Sequence, residues 1–85
     1  MSLHTDWTPR AQRDLERLDR PTRARIVAAV LRFAETSQGD IVKLAGKHPP
    51  EYRLRVGGWR VRFAWEQASS ILIILHVFKR GQGYE

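Results

Sequence analysis

Eighty-five residues with fifteen Lys and Arg against nine Asp and Glu make one small domain, residues 1–85, with a net charge of +6; a chain this short buries only somewhat more than about 60% of its unfolded surface. The absence of cysteine excludes a disulfide framework and a thiolate zinc site, and His4, His48 and His76 lack ligand spacing, so neither a metal nor another cofactor is expected. No apolar run approaches the roughly 20 residues of a spanning helix and the N-terminal MSLHTDW has no signal-peptide core, which points away from membranes and to the cytoplasm.

Leu3 to Trp7 alternates in polarity as a short first strand, and Thr8-Pro9 then supplies an N-cap and a first helical position. The first helix is predicted from Pro9 to Leu18, with Ala11, Leu15 and Leu18 in a narrow apolar stripe; Arg10, Arg13 and Arg17, beside Asp14 and Glu16, read as a solvated face. Asp19 caps a second helix from Arg20 to Thr36, whose Ile26, Val27, Val30, Leu31, Phe33 and Ala34 form a broader stripe. Neither helix buries its stripe alone, so the two form a hairpin that packs on a sheet.

Ser37 to Asp40 ends the second helix, and Ile41 to Pro50 reads as a connection, its Pro49-Pro50 marking the entrance to a strand. Lys43 and Lys47 in this connection either add charge near a basic surface or are plain exposed loop lysines. Three strands follow between Glu51 and Arg80, written EYRLRV-GG-WRVRFAWEQ-ASS-ILIILHVFKR. The last is apolar on both faces in its first half, which argues for a central place in the sheet.

Gly57-Gly58 is a two-residue hairpin signal that sets Val56 opposite Trp59, Arg55 opposite Arg60, Leu54 opposite Val61 and Arg53 opposite Arg62. Tyr52, Leu54, Val56, Trp59, Val61, Phe63 and Trp65 then face the helices, and four arginines stand as two cross-strand pairs on the other face. Facing like charges destabilise by roughly 0.2–1 kcal/mol per pair, and no compensating carboxylate is expected on these strands. Such a face favours an anion, a nucleic-acid backbone above all. Twelve of the fifteen basic residues are arginine, which suits bidentate phosphate recognition. With Ala68-Ser69-Ser70 as a turn, Ala64 faces Ile74, Arg62 faces His76 and Arg60 faces Phe78; His76 joins the arginine face, and so by parity does Arg80.

The reading is an α+β fold, β-α-α-β-β-β, in which a helix hairpin packs on one face of a small, mostly antiparallel four-stranded sheet. That order, together with Thr8-Pro9-Arg10-Ala11, Gly39 to Gly46, Tyr52 to Phe63, and Lys79-Arg80 followed by Tyr84, resembles the RelE/ParE superfamily of type II toxin–antitoxin toxins over nearly the whole chain. The resemblance implies a ribosome-dependent, metal-independent endoribonuclease acting on messenger RNA, with Arg53, Arg55, Arg60, Arg80 and Tyr84 as catalytic positions and a cognate antitoxin as partner. Arg62, His76, Lys79, Lys43 and Lys47 are the accompanying candidates for RNA contact. The sequence departs from the commoner family pattern at Lys79, where many members carry histidine, and in the glycines of Gly81-Gln82-Gly83. The same superfamily contains ParE-like inhibitors of DNA gyrase, and the arginine face would also serve a non-enzymatic nucleic-acid-binding module.

Overall fold

The computed structural model describes residues 2–82. Within them the chain runs β1 (His4–Trp7), α1 (Pro9–Glu16), α2 (Arg20–Thr36), β2 (Asp40–Leu44), β3 (Glu51–Val56), β4 (Trp59–Glu66) and β5 (Ile71–Lys79). The sheet order is β1-β5-β4-β3-β2, with β1 parallel to β5 and the other pairs antiparallel. No helix among the described residues is long and apolar enough to cross a membrane.

The helix boundaries follow from their caps. Thr8 Oγ1 accepts from the Ala11 N–H with Pro9 next in the chain, and the Asp19 carboxylate accepts from the Thr22 N–H at 3.2 Å with Pro21 in the first turn. Hydrogen bonding by Thr22, first from its side chain and then from its backbone, holds the Asp19 carboxyl below the usual carboxylate range. Helix α2 stops at Ser37, which takes the left-handed conformation at φ 60°.

Ile26, Val30, Phe33 and Ala34 of α2 and Ala11 of α1 pack on Leu54, Val56, Val61, Phe63, Leu72, Ile74 and Val77, with Tyr52, Trp59 and Trp65 half-buried around them. This is the apolar face that the alternation of β3 and β4 requires. Leu31, placed in the α2 stripe by spacing, is instead 46% exposed; the narrower contact stripe leaves it on the outer flank.

The sheet has five strands among the described residues, not four. Residues 40–44 pair with β3, Asp40 opposite Arg55 and Leu44 opposite Glu51, so the supposed connection begins as an edge strand. The β3–β4 hairpin has the expected register, Arg55 opposite Arg60 and Arg53 opposite Arg62. Of the two turn glycines only Gly57 has positive φ, at 59°, as the first central position of a type II′ turn requires.

Arg62 faces His76 and Arg60 faces Phe78 as expected, but Ala64 faces Ile73 rather than Ile74. The β4–β5 turn is one residue longer than expected, and a bulge that leaves Leu75 unpaired between Arg62 and Phe63 restores the register beyond it. The bulge also switches which residues of β5 face the helices. Leu72 and Ile74 are buried before it, Val77 after it.

Candidate functional site

Strand β1 covers the outer edge of β5 only from Ile71 to Ile74. Beyond that point, unpaired backbone groups would stand open. Helix α1 closes the gap: the Thr8 hydroxyl donates to the Ile74 carbonyl at 2.8 Å, and Asp14 Oδ2 accepts the Val77 N–H at 2.9 Å. The same Asp14 oxygen lies 2.7 Å from His76 Nδ1, and an Arg10 guanidinium nitrogen lies 3.2 Å from His76 Nε2. A carboxylate only accepts and a guanidinium only donates, so both contacts are met by the imidazole that carries its proton on Nδ1.

Asp14, read as part of a solvated face, is therefore a structural acceptor at the sheet edge. Replacing it with Ala strands the Val77 N–H and the His76 Nδ1–H, an expected loss of about 1–3 kcal/mol in urea unfolding, with Asp14→Asn recovering part of it through its remaining oxygen. Equal stability of Asp14→Ala and the parent would show that water satisfies this edge.

On the face of the sheet away from the helices, the arginines are gathered. Arg53 on β3, Arg60 and Arg62 on β4, Arg80 after β5 and Lys47 after β2 line one cleft of about 480 Å³. Leu44, Ala45 and Phe78 complete its walls, with Gly81 and Gln82 at one end. Arg80 is set by its backbone N–H, which donates to the Gly58 carbonyl at 2.8 Å and ties the end of β5 to the hairpin turn. Arg60 donates to the carbonyls of Gly57 and Trp59 at 3.0 and 2.9 Å. Its hold on its proton is lowered, first by desolvation and then by the charges of Arg55, Arg80 and Arg53, with Asp40 opposing. Crowding of this kind is relieved when an anion enters.

The face is not free of acid. Glu51 lies 3.4 Å from Arg62, both side chains being about four-fifths buried, and Asp40 lies 3.8 Å from Arg55 in an exposed pair. The expectation that no carboxylate on β3 or β4 accompanies these arginines is corrected by Glu51, and β2 adds Asp40 beside them. Glu51 stands two residues before Arg53 on the same strand, so parity alone places it on the arginine face; Asp40 arrives with the edge strand β2.

The structure thus brings Arg53, Arg60, Arg62, Arg80 and Lys47 together. Arg55 shares their face by register yet lies outside the cleft, beside Asp40, Gln38 and Arg32. Lys43 is opposite Tyr52 and turns to a separate groove with Pro49, Pro50 and Trp65. Lys79 is opposite Trp59 and shares a third groove with Asp14, Arg17 and His76. His76 keeps its predicted partner strand position but is 8% exposed and committed to α1 rather than to the cleft. Tyr84 lies outside the described residues. Phe78 and Leu44 in the cleft walls were not singled out from the sequence, although Phe78 falls opposite Arg60 in the register that the turn fixes.

Comparison with known proteins bears on the whole of this architecture. Residues 5–84 match the family described as ParE toxin of type II toxin–antitoxin system, parDE. No curated protein matches the chain. Among solved structures, the fold is similar to the archaeal RelE–RelB complex from Pyrococcus horikoshii OT3, with a TM-score of 0.81 and 20% identity over 98% of this chain and 100% of that one. It is also similar to the isolated E. coli RelE toxin, with a TM-score of 0.77 and 17% identity over 98% of this chain and 89% of that one. The toxin–antitoxin complex RelBE2 from Mycobacterium tuberculosis superposes with a TM-score of 0.64 and 24% identity, over 94% of this chain and 100% of that one. At these identities the structures speak for the fold, a pair of helices on a mixed sheet, while the family match covers all but a few residues of the sequence. The chain belongs to the ParE toxin family of type II toxin–antitoxin systems, within the RelE/ParE superfamily.

Proposed function

We propose that this toxin is a ribosome-dependent messenger RNA endoribonuclease that acts in the cytoplasm without a metal. The observation that carries the reading is the convergence of Arg53, Arg60, Arg62, Arg80 and Lys47 on one cleft. In the reaction, the 2′-hydroxyl loses its proton and its oxygen attacks the adjacent phosphorus. The bond from phosphorus to the 5′-oxygen breaks, and that oxygen takes up a proton, leaving a cyclic phosphate and a free 5′-hydroxyl. Negative charge grows on the non-bridging oxygens and on the leaving oxygen, where fixed guanidiniums stabilise it. Arg60, whose guanidinium is held by the hairpin turn, and Arg80, whose backbone is tied to it, take that role, and Arg53 and Lys47 hold the flanking phosphates. Arginine exchanges protons poorly, so the proton transfers fall to Tyr84. The ribosome supplies the orientation of the strand that so sparse a site needs.

A cognate antitoxin is the natural partner. The solved relatives from Pyrococcus horikoshii and Mycobacterium tuberculosis are complexes with antitoxins, and a chain of net charge +6 fits an acidic segment laid across its cleft. A second reading, inhibition of DNA gyrase, is favoured by the description of the matched family as ParE toxin. Expressing the chain alone and mapping cleaved messenger RNA beside gyrase-linked DNA breaks separates the two. Cuts within ribosome-bound messages support the nuclease; DNA breaks with intact messages overturn it.

Binding itself should depend steeply on salt. If Lys47, Arg53, Arg60 and Arg80 each displace a counterion from single-stranded RNA, log affinity falls against log salt with a slope of roughly −3, and Arg60→Ala should flatten it by about 0.7. A slope unchanged in the variant would place the binding surface elsewhere.

A further inference from the structure

The cleft has a feature that a phosphate-binding surface does not need. Across the sheet its floor is arginine from β3 and β4, while its two sides are apolar: Phe78 on β5, and Leu44 with Ala45 at the end of β2. Strands β5 and β2 are separated by three strand spacings, about 14 Å. Phe78 sits directly opposite Arg60 and two residues before Arg80, so its ring adjoins the cations rather than the rim.

The ring is also fixed from behind. Phe78 stacks on the His76 imidazole with centroids 4.9 Å apart and planes at 26°. His76 in turn is held by Asp14 at 2.7 Å and by Arg10 at 3.2 Å. The bulge at Leu75 produces this arrangement, because it brings His76, Phe78 and Arg80 to the parity opposite that of the buried Val77. Phe78 remains half-buried, so ring surface not covered by His76 is offered to the cleft that the residue lines.

We infer that Phe78 is a nucleobase-stacking subsite, on which an unpaired base of single-stranded RNA lies while its neighbouring phosphates sit on Arg60 and Arg80. Unpaired bases are commonly held on aromatic side chains backed by other groups, with cations along the strand backbone. An apolar ring beside the arginines gives nothing to a bare polyanion, and a base stacked within an undistorted duplex has no free face to lay on it. The inference rests on the nucleic-acid reading above and narrows it: the ligand is a single strand with an unstacked base, not phosphate chains in general and not duplex DNA.

The test uses three probes on the purified toxin: a short 2′-O-methyl oligoribonucleotide, which binds but cannot be cut by 2′-hydroxyl attack, the same oligomer carrying abasic positions, and inorganic polyphosphate. The parent should prefer the base-bearing oligomer to its abasic counterpart. Phe78→Leu should weaken the base-bearing oligomer by roughly five- to a hundredfold, the range of one lost base stack, while leaving abasic and polyphosphate binding and the salt slope as they were. Phe78→Trp should retain the preference. Equal affinity for base-bearing and abasic oligomers, unaffected by Phe78→Leu, would overturn the stacking subsite and leave the phosphate-binding cleft standing. Parallel loss of all three probes in both variants would mean that Phe78 only holds the shape of the cleft, which also overturns the inference. Absence of salt-dependent binding to any probe would overturn the nucleic-acid reading itself.

Discussion

Arg80→Ala is expected to lower cleavage of ribosome-bound messenger RNA by about 10²-fold or more, the usual consequence of removing one preorganised donor to a developing oxyanion. The fold should not follow. Arg80 is exposed, and the contact that positions it is made by its backbone N–H to the Gly58 carbonyl, which alanine retains. Its charge is one of those that loosen the proton of Arg60, so deletion relieves repulsion within the cleft. Melting temperature should therefore stay level or rise slightly while growth arrest is lost. Tyr84→Phe, outside the described residues, belongs in the same assay because it removes a proton-exchanging hydroxyl and nothing else. Growth arrest that persists in both variants with messages intact would sink the nuclease reading and leave gyrase as the target. A large fall in melting temperature for Arg80→Ala would instead show a structural role that the hydrogen bonds do not indicate.

The parts of this site that could be read in the sequence are those governed by local rules. A two-residue glycine turn and strict alternation fixed which arginines face one another, because in a hairpin the turn determines register and register determines face. The same parity carried Arg80 to the correct side. The central place of β5 followed from its apolar run, and the extent of α2 from its cap and its exit at Ser37.

What escaped reading was set by distant contacts. Strand β2 is five residues long, begins at an aspartate and leads into a proline-rich loop, so its pairing with β3 decides its conformation more than its composition does. Glu51 is within reach of parity, whereas the place of Asp40 depends on the pairing of β2. The bulge at Leu75 has no local signature, yet it turns Phe78 and Arg80 toward the cleft. His76 lies opposite Arg62 as alternation demands, but the carboxylate that claims it comes from α1, sixty-two residues earlier. Charge suggests Lys43 and the family resemblance suggests Lys79 as companions of the arginines, although their paired partners, Tyr52 and Trp59, belong to the other face.

The largest effect on stability is expected from Phe33→Ala, at about 3–5 kcal/mol. Phe33 is 1% exposed, and its ring centroid lies 5.5 Å from those of both Phe63 and Trp65, tilted at 51° to the first and near edge-on at 81° to the second. It is the side chain through which α2 grips β4, the strand that carries Arg60 and Arg62 on its other face. A domain of this size has roughly 4–13 kcal/mol of stability in all, so the variant should unfold at much lower urea, with Phe33→Leu recovering much of the loss by refilling the site. Toxicity should drop as well, but for a reason separable from that of Arg80→Ala. The protein that remains folded keeps every cleft residue, so its salt slope for RNA and its cleavage per folded molecule should match the parent. A Phe33→Ala protein that is fully folded at low temperature yet cuts poorly would show instead that the cleft is coupled to the core through β4, so that scaffold and site are not separable.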